Sequence, residues 1–122
     1  MDAYGRCQVC MSLCAPGWTQ DLRNSSLRDA LNALRPQVME KHASNSEYMA
    51  RCANCFIHPL CEQCPAKAWI ENGTLDTPVE YLCEIAHCKA RTWGLIEREE
   101  KAWNVSDWKQ RIGKLIFQIA QV

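Results

Sequence analysis

Cys52-Ala53-Asn54-Cys55-Phe56-Ile57-His58-Pro59-Leu60-Cys61-Glu62-Gln63-Cys64-Pro65 is the stretch that decides how this chain folds. It puts four thiols within 13 residues. Thiolates are the soft ligands that zinc and iron–sulfur centres take. A gap of two residues lets a tight turn bring both sulfurs of a pair to one centre. The chain has 122 residues, enough for one small domain. A domain of this size buries only about two-thirds of its surface, so an internal metal centre is an effective staple.

The nine cysteines admit two frameworks, disulfides or metal thiolates. Their number is odd and they cluster in pairs. The N-terminus Met1-Asp2-Ala3-Tyr4-Gly5-Arg6-Cys7 has no apolar signal core. These features favour thiolates in a reducing compartment, and the expected location is the cytoplasm. The chain carries 14 basic and 14 acidic residues, with no basic run. No field draws in nucleic acid or an anionic membrane, so neither is expected as a partner. No apolar run reaches the length of about 18 residues that a membrane span needs.

The five residues between Cys55 and Cys61 are too few for one zinc ribbon, whose pairs stand about 15–20 residues apart. Ferredoxin-type runs also end in Cys-Pro, and there the last cysteine serves a different cluster. That pattern takes three ligands from the run and one remote cysteine, for which Cys83 is the best candidate. A second group, Cys7-x2-Cys10-x3-Cys14, could join Cys64 at another centre; the plainer reading makes Cys7 and Cys14 small buried residues. His87, one helical turn after Cys83, reads as a ligand or as a hydrogen-bonding neighbour of one. Cys88 and His58 are weaker candidates, and His42 reads as surface. Trp69, Trp93 and Trp103 read as core that could also shield a centre from water.

Around the cysteine run the expected fold is small α+β, mostly helical and irregular. It comprises an N-terminal β-hairpin remnant, the metal-binding loop and two or three helices. Residues 1–18 read as a strand pair opened by the turn Asp2-Ala3-Tyr4-Gly5, with its first strand missing. A helix is predicted over 26–41, capped by Ser26, with the stripe Leu27, Ala30, Leu31 and Leu34. Pro36 should kink or break it. Pro65 to about Glu71 reads as a helical turn stopped by Asn72-Gly73. Thr77-Pro78-Val79-Glu80 reads as a helix start, the helix running through Cys83 and His87 to about Trp93-Gly94 or on to Lys101. A last amphipathic helix begins near Ser106, with the stripe Trp108, Ile112, Leu115, Ile116 and Ile119. It must pack on this chain's own core, a barrel domain or a partner chain. The chain thus divides into a cysteine-rich module over 1–100 and a C-terminal amphipathic helix over 101–122.

The run ending Leu60-Cys61-Glu62-Gln63-Cys64-Pro65, followed by Gly73 and by Tyr81-Leu82-Cys83-Glu84-Ile85-Ala86-His87, resembles the SPASM domain. That domain is the C-terminal auxiliary-cluster extension of radical SAM enzymes that modify peptides and proteins. Tyr4-Gly5-Arg6-Cys7-Gln8-Val9-Cys10-Met11 resembles its opening hairpin, and Asp21–Arg28 the stretch that follows. The resemblance covers about residues 2–95. It implies two 4Fe–4S clusters, a distal one on Cys52, Cys55, Cys61 and Cys83 and a proximal one to which Cys10 and Cys64 contribute. The proximal site is incomplete, since the family's first cysteine would precede Met1. The family's run also usually spaces its last cysteine by three residues, where Cys61 and Cys64 here are two apart. The implied partners are a radical SAM barrel domain or subunit and a peptide substrate. The chain has no Cys-x3-Cys-x2-Cys loop and is shorter than the roughly 200 residues a barrel needs. It is therefore not expected to be an enzyme alone. The competing expectation is a zinc-stapled protein-interaction domain that uses Cys52, Cys55, Cys61 or Cys64, and Cys83, with the C-terminal helix as its working surface.

Overall fold

The structure, a computed structural model, describes residues 1–119 without the side chains of Leu115, Gln118 and Ile119. Two positions of the last predicted stripe, Leu115 and Ile119, thus lie outside the described residues. Strands β1 (Arg6–Gln8) and β2 (Thr19–Asp21) are followed by helices α1 (Leu27–Met39), α2 (Ser46–Ala50), α3 (Pro65–Asn72), α4 (Glu80–Thr92) and α5 (Trp108–Ile119). Three single 3₁₀ turns, Cys52–Asn54, His58–Leu60 and Ala102–Asn104, join them. The fold is small α+β and cysteine-rich. The chain forms two compact units, residues 1–44 with 64–77, and residues 45–63 with 78–122.

In the first unit β1 and β2 pair antiparallel, with Cys7 opposite Gln20. The partner of β1 is therefore Thr19–Asp21, beyond the 1–18 span read from sequence, and no preceding strand is needed for this pairing. The turn Asp2–Gly5 extends the pairing. Asp2 accepts the Tyr4 and Arg6 amides at 2.9 and 3.0 Å, and Gly5, at φ +77°, offers its carbonyl to Leu22 N–H. Cys7 is buried with Ala30 and Leu34 of α1. Ser26 caps α1 by accepting from the Asp29 amide. Only half of the predicted stripe is buried, because Leu27 and Leu31 stay exposed. Pro36 does not break α1, which runs on to Met39. The proline sits in the last turns, where its missing donor removes a single bond and Glu40 N–H still reaches the Pro36 carbonyl at 2.9 Å. α3 ends as predicted, at Gly73 with φ +69°, and its Ala66 packs with Leu13, Ala15 and Trp69.

In the second unit Asn45 caps α2 by accepting from the Glu47 and Tyr48 amides. α4 starts at Glu80, later than the Thr77-Pro78 signal implies. Thr77 hydrogen-bonds Thr74 instead, and the Val79 N–H is taken by the Gln63 side chain at 3.0 Å. Gly94, at φ +67°, ends α4 with its N–H on the Arg91 carbonyl. The core joins Ile57, from between the cysteine pairs, to Ala86, Ala90, Leu95, Ile96 and Ala102. α5 docks on this same core. Trp108 stacks on Phe56 with centroids 6.1 Å apart, Ile112 packs against the cluster, and Arg111 pairs with Glu100 and Asp107. Ile116 remains exposed. No helix among the described residues is long and apolar enough to cross a membrane.

Candidate metal centre

Two 3₁₀ turns set the spacing of the thiols. Cys55 closes the first turn, its N–H on the Cys52 carbonyl at 3.3 Å, and Cys61 closes the second, its N–H on the His58 carbonyl at 2.9 Å. Side chains three apart eclipse in a 3₁₀ turn, so Cys52 and Cys55 share a side. Between the turns Ile57, only 2% exposed, anchors the loop in the core. The facing surface of α4 is made of Ala86 and Ala90, both buried. Their small side chains let the loop lie close to the helix that carries Cys83. The Cys61 thiol reaches the Leu82 carbonyl at 3.9 Å.

Cys52, Cys55, Cys61 and Cys83 line one cavity of about 20 Å³, with His58, Gln63, His87 and Trp103 among its other walls. The four cysteines that the resemblance assigns to one cluster are thus brought together. All nine cysteines are free thiols. Burial pushes the Cys52 thiol up to about 11. It raises Cys55 and Cys83 too, and in all three neighbouring thiols add to the rise. The cavity therefore concentrates sulfur ligands whose negative forms repel one another, and a cation among them would reverse that penalty. Among the described residues, no three His, Cys, Asp or Glu side chains form a group that could hold one metal ion.

Arg51 is the main positive group at this site. Its Nη2 donates to Cys83 Sγ at 3.6 Å and to Glu80 Oε2 at 3.1 Å, while Nη1 donates to Glu80 Oε1 at 2.7 Å and to Glu47. The guanidinium carbon lies 4.7 Å from the Trp103 ring centroid. Arg51 Nε is buried without a partner. Glu80, held below the usual carboxylate range by the Arg51 hydrogen bond, stays ionised beside it.

His87 is 1% exposed. Its Nε2 accepts the Ala102 backbone N–H at 3.1 Å, which puts the ring proton on Nδ1. Nδ1–H then donates to the Cys83 carbonyl at 2.8 Å, with Cys83 Sγ at 3.5 Å. Burial lowers the pKa of His87 and favours the neutral ring. Both nitrogens are engaged, so His87 is a hydrogen-bonding neighbour of Cys83. Its ring meets Trp103 edge-on, centroids 5.4 Å apart.

The remaining sequence candidates stand elsewhere. Cys64 caps α3, its sulfur accepting the Lys67 N–H at 3.5 Å. Cys10 is exposed, and its carbonyl takes the Leu13 N–H. Both belong to the first unit, and neither lines the four-thiol cavity. Cys7 is buried core, whereas Cys14 and Cys88 are exposed. Of the three tryptophans, Trp103 lines the cavity, Trp69 packs in the first unit, and Trp93 is 53% exposed. Sequence reasoning passed over Arg51 and Gln63. An arginine directly before the first cysteine of the run was the available signal for the former; Gln63 had none. No protein-family model, curated protein or solved structure matches this chain.

Proposed function

We propose that the unit of residues 45–63 and 78–122 is an iron–sulfur module in which Cys52, Cys55, Cys61 and Cys83 hold one 4Fe–4S cluster. The observation that carries this reading is the lining of a single cavity by those four thiols. One tetrahedral zinc, with Zn–S of about 2.3 Å, would draw its sulfurs to about 3.8 Å apart. A 4Fe–4S cluster is wider and would hold its four thiolates farther apart; among the described residues the side chains as they stand form no ligand set for a metal ion, so either occupant needs the thiols to move.

Such a cluster, when bound, supplies one-electron transfer. The protein's part is to anchor and shield it. The two turns and α4 present the thiolates, Ile57 and Trp103 keep the walls apolar, and His87 fixes the Cys83 turn through its carbonyl. The likeness of residues 52–64 and 81–87 to the SPASM domain supports a place in a radical SAM peptide-maturation system. There the module would carry electrons or position a peptide substrate, and SAM cleavage would fall to a barrel domain or subunit. The proposal is confined to one cluster, because Cys64 already serves as a helix cap and Cys10 is exposed.

A zinc-stapled interaction domain is favoured by one observation. The cavity's 20 Å³ is room for about one water-sized body. A cluster fits only if the cysteine side chains rotate outward. Anaerobic reconstitution with iron and sulfide, followed by elemental analysis, separates the two. A brown protein with about four irons per chain is expected. A colourless protein that holds about one zinc and no iron would overturn the iron–sulfur reading.

A further inference from the structure

α1 leaves apolar residues in water beside the face it buries. At 3.6 residues per turn, Leu27, Leu31 and Val38 fall on the flank next to the buried Ala30 and Leu34, and Arg28 and Arg35 fall on the flank beyond. Leu27 is 57% exposed and Leu31 46%. With Val9, just past β1, these side chains line an open cleft of about 870 Å³. The whole cleft belongs to the first unit. A single exposed leucine is ordinary, but apolar side chains gathered on one concave surface mark a place where something binds.

Charge narrows what the cleft takes. Its two ionisable side chains are both arginines. Neither guanidinium has an ion pair or a hydrogen bond among the described residues. Asp29, the acid next to Arg28, is bonded to the Ser26 hydroxyl at 2.6 Å and does not line the cleft. Arg28 and Arg35 stand two helical turns apart, about 10 Å along the axis. A guanidinium presents a planar fork that matches a carboxylate. We propose that this cleft binds an acidic, amphipathic segment of a partner protein. Its apolar side chains would cover Leu27, Leu31 and Val38, while two carboxylates about 10 Å apart pair with Arg28 and Arg35. The concave shape suits a chain segment better than a flat bilayer, and two cations are few for a nucleic-acid strand. The proposal is independent of what the four thiols hold.

The probe is a fluorescein-labelled peptide of about 16 residues, an amphipathic helix with one leucine face and two glutamates two turns apart. A twin carries lysine in place of each glutamate. Both are titrated against the full chain by fluorescence polarisation. We expect the acidic peptide to bind, R28Q/R35Q to weaken it about tenfold, and R28E/R35E to prefer the lysine twin. Leu31→Ser should weaken binding at an unchanged Tm, because the side chain is exposed. Failure of the acidic peptide to bind, equal binding of the two peptides, or binding untouched by R28Q/R35Q would overturn the proposal. Tighter binding to phosphatidylglycerol–phosphatidylcholine vesicles than to the acidic peptide would give the cleft to a membrane surface instead. A concentration-dependent dimer in sedimentation that Leu31→Ser dissolves would give it to a second copy of the chain, again against the proposal.

Discussion

Replacing His87 by alanine probes the link between the cavity and the core, and its cost can be worked from the contacts. The Ala102 N–H, buried and bonded to Nε2 at 3.1 Å, would lose its acceptor, which costs about 1–3 kcal/mol. The edge-on contact with Trp103 contributes about a further 0.5–1.5 kcal/mol. Together these give a loss of about 2–4 kcal/mol, or a fall in Tm on the order of 8–16 °C for a chain of this size. The assay is urea unfolding of the metal-free chain at pH 7.5. Burial lowers the His87 pKa below its ordinary 6.5, so at that pH the ring is neutral in both folded and unfolded chains and protonation adds nothing. H87Q, which can return an acceptor to Ala102, should recover part of the loss. A midpoint for H87A within about 0.5 kcal/mol of the unaltered chain, at equal slope, would refute the hydrogen-bonding role given to this ring.

Ile57→Ala removes the anchor between the two cysteine turns, and it should cost about 2–5 kcal/mol in the same unfolding assay. Acid should weaken the docking of α5. Arg111 holds Glu100 down to about 2, so the pair's contribution is complete above about pH 4.5 and is lost as the pH falls from there through about 2. The groups are exposed, so high salt should shrink the effect, and E100Q should remove it, as read by Trp108 fluorescence against pH. Ser26→Ala should cost about 1 kcal/mol through the lost α1 cap, measured by chemical denaturation.

Local chemistry was the legible part of this sequence. The Ser26 cap, the Asn72-Gly73 stop and the Cys52–Cys55 turn each depend on a few adjacent residues and formed where the residues implied. Cys64, instead of closing a turn with Cys61, caps α3. The positions that shifted depend on neighbours distant in sequence. Thr77-Pro78 has the composition of a helix start, but Gln63 takes the Val79 amide and α4 begins after it. The strand opposite Cys7 is Thr19–Asp21, a short polar segment with no alternation to mark it. α1 runs through Pro36 with one amide donor missing, and the Glu40 N–H still closes on the Pro36 carbonyl. The last helix carried a readable apolar stripe, but the stripe alone did not say that Trp108 would meet Phe56. At the candidate site the thiol spacing was visible. The role of Arg51 was not, because it rests on partners 29 and 32 residues away along the chain. His87 was legible as a hydrogen-bonding neighbour of Cys83, but its bond to the Ala102 amide, 15 residues on, was not.

Iron content of single cysteine variants, after identical anaerobic reconstitution, tests most directly whether four thiols share one centre. Alanine at Cys52, Cys55, Cys61 or Cys83 should each abolish or sharply reduce iron retention, while C10A, C64A and C88A keep the iron of the unaltered chain. Full iron in C83A would contradict the account, because the α4 thiol would then not belong to the centre that the loop thiols form.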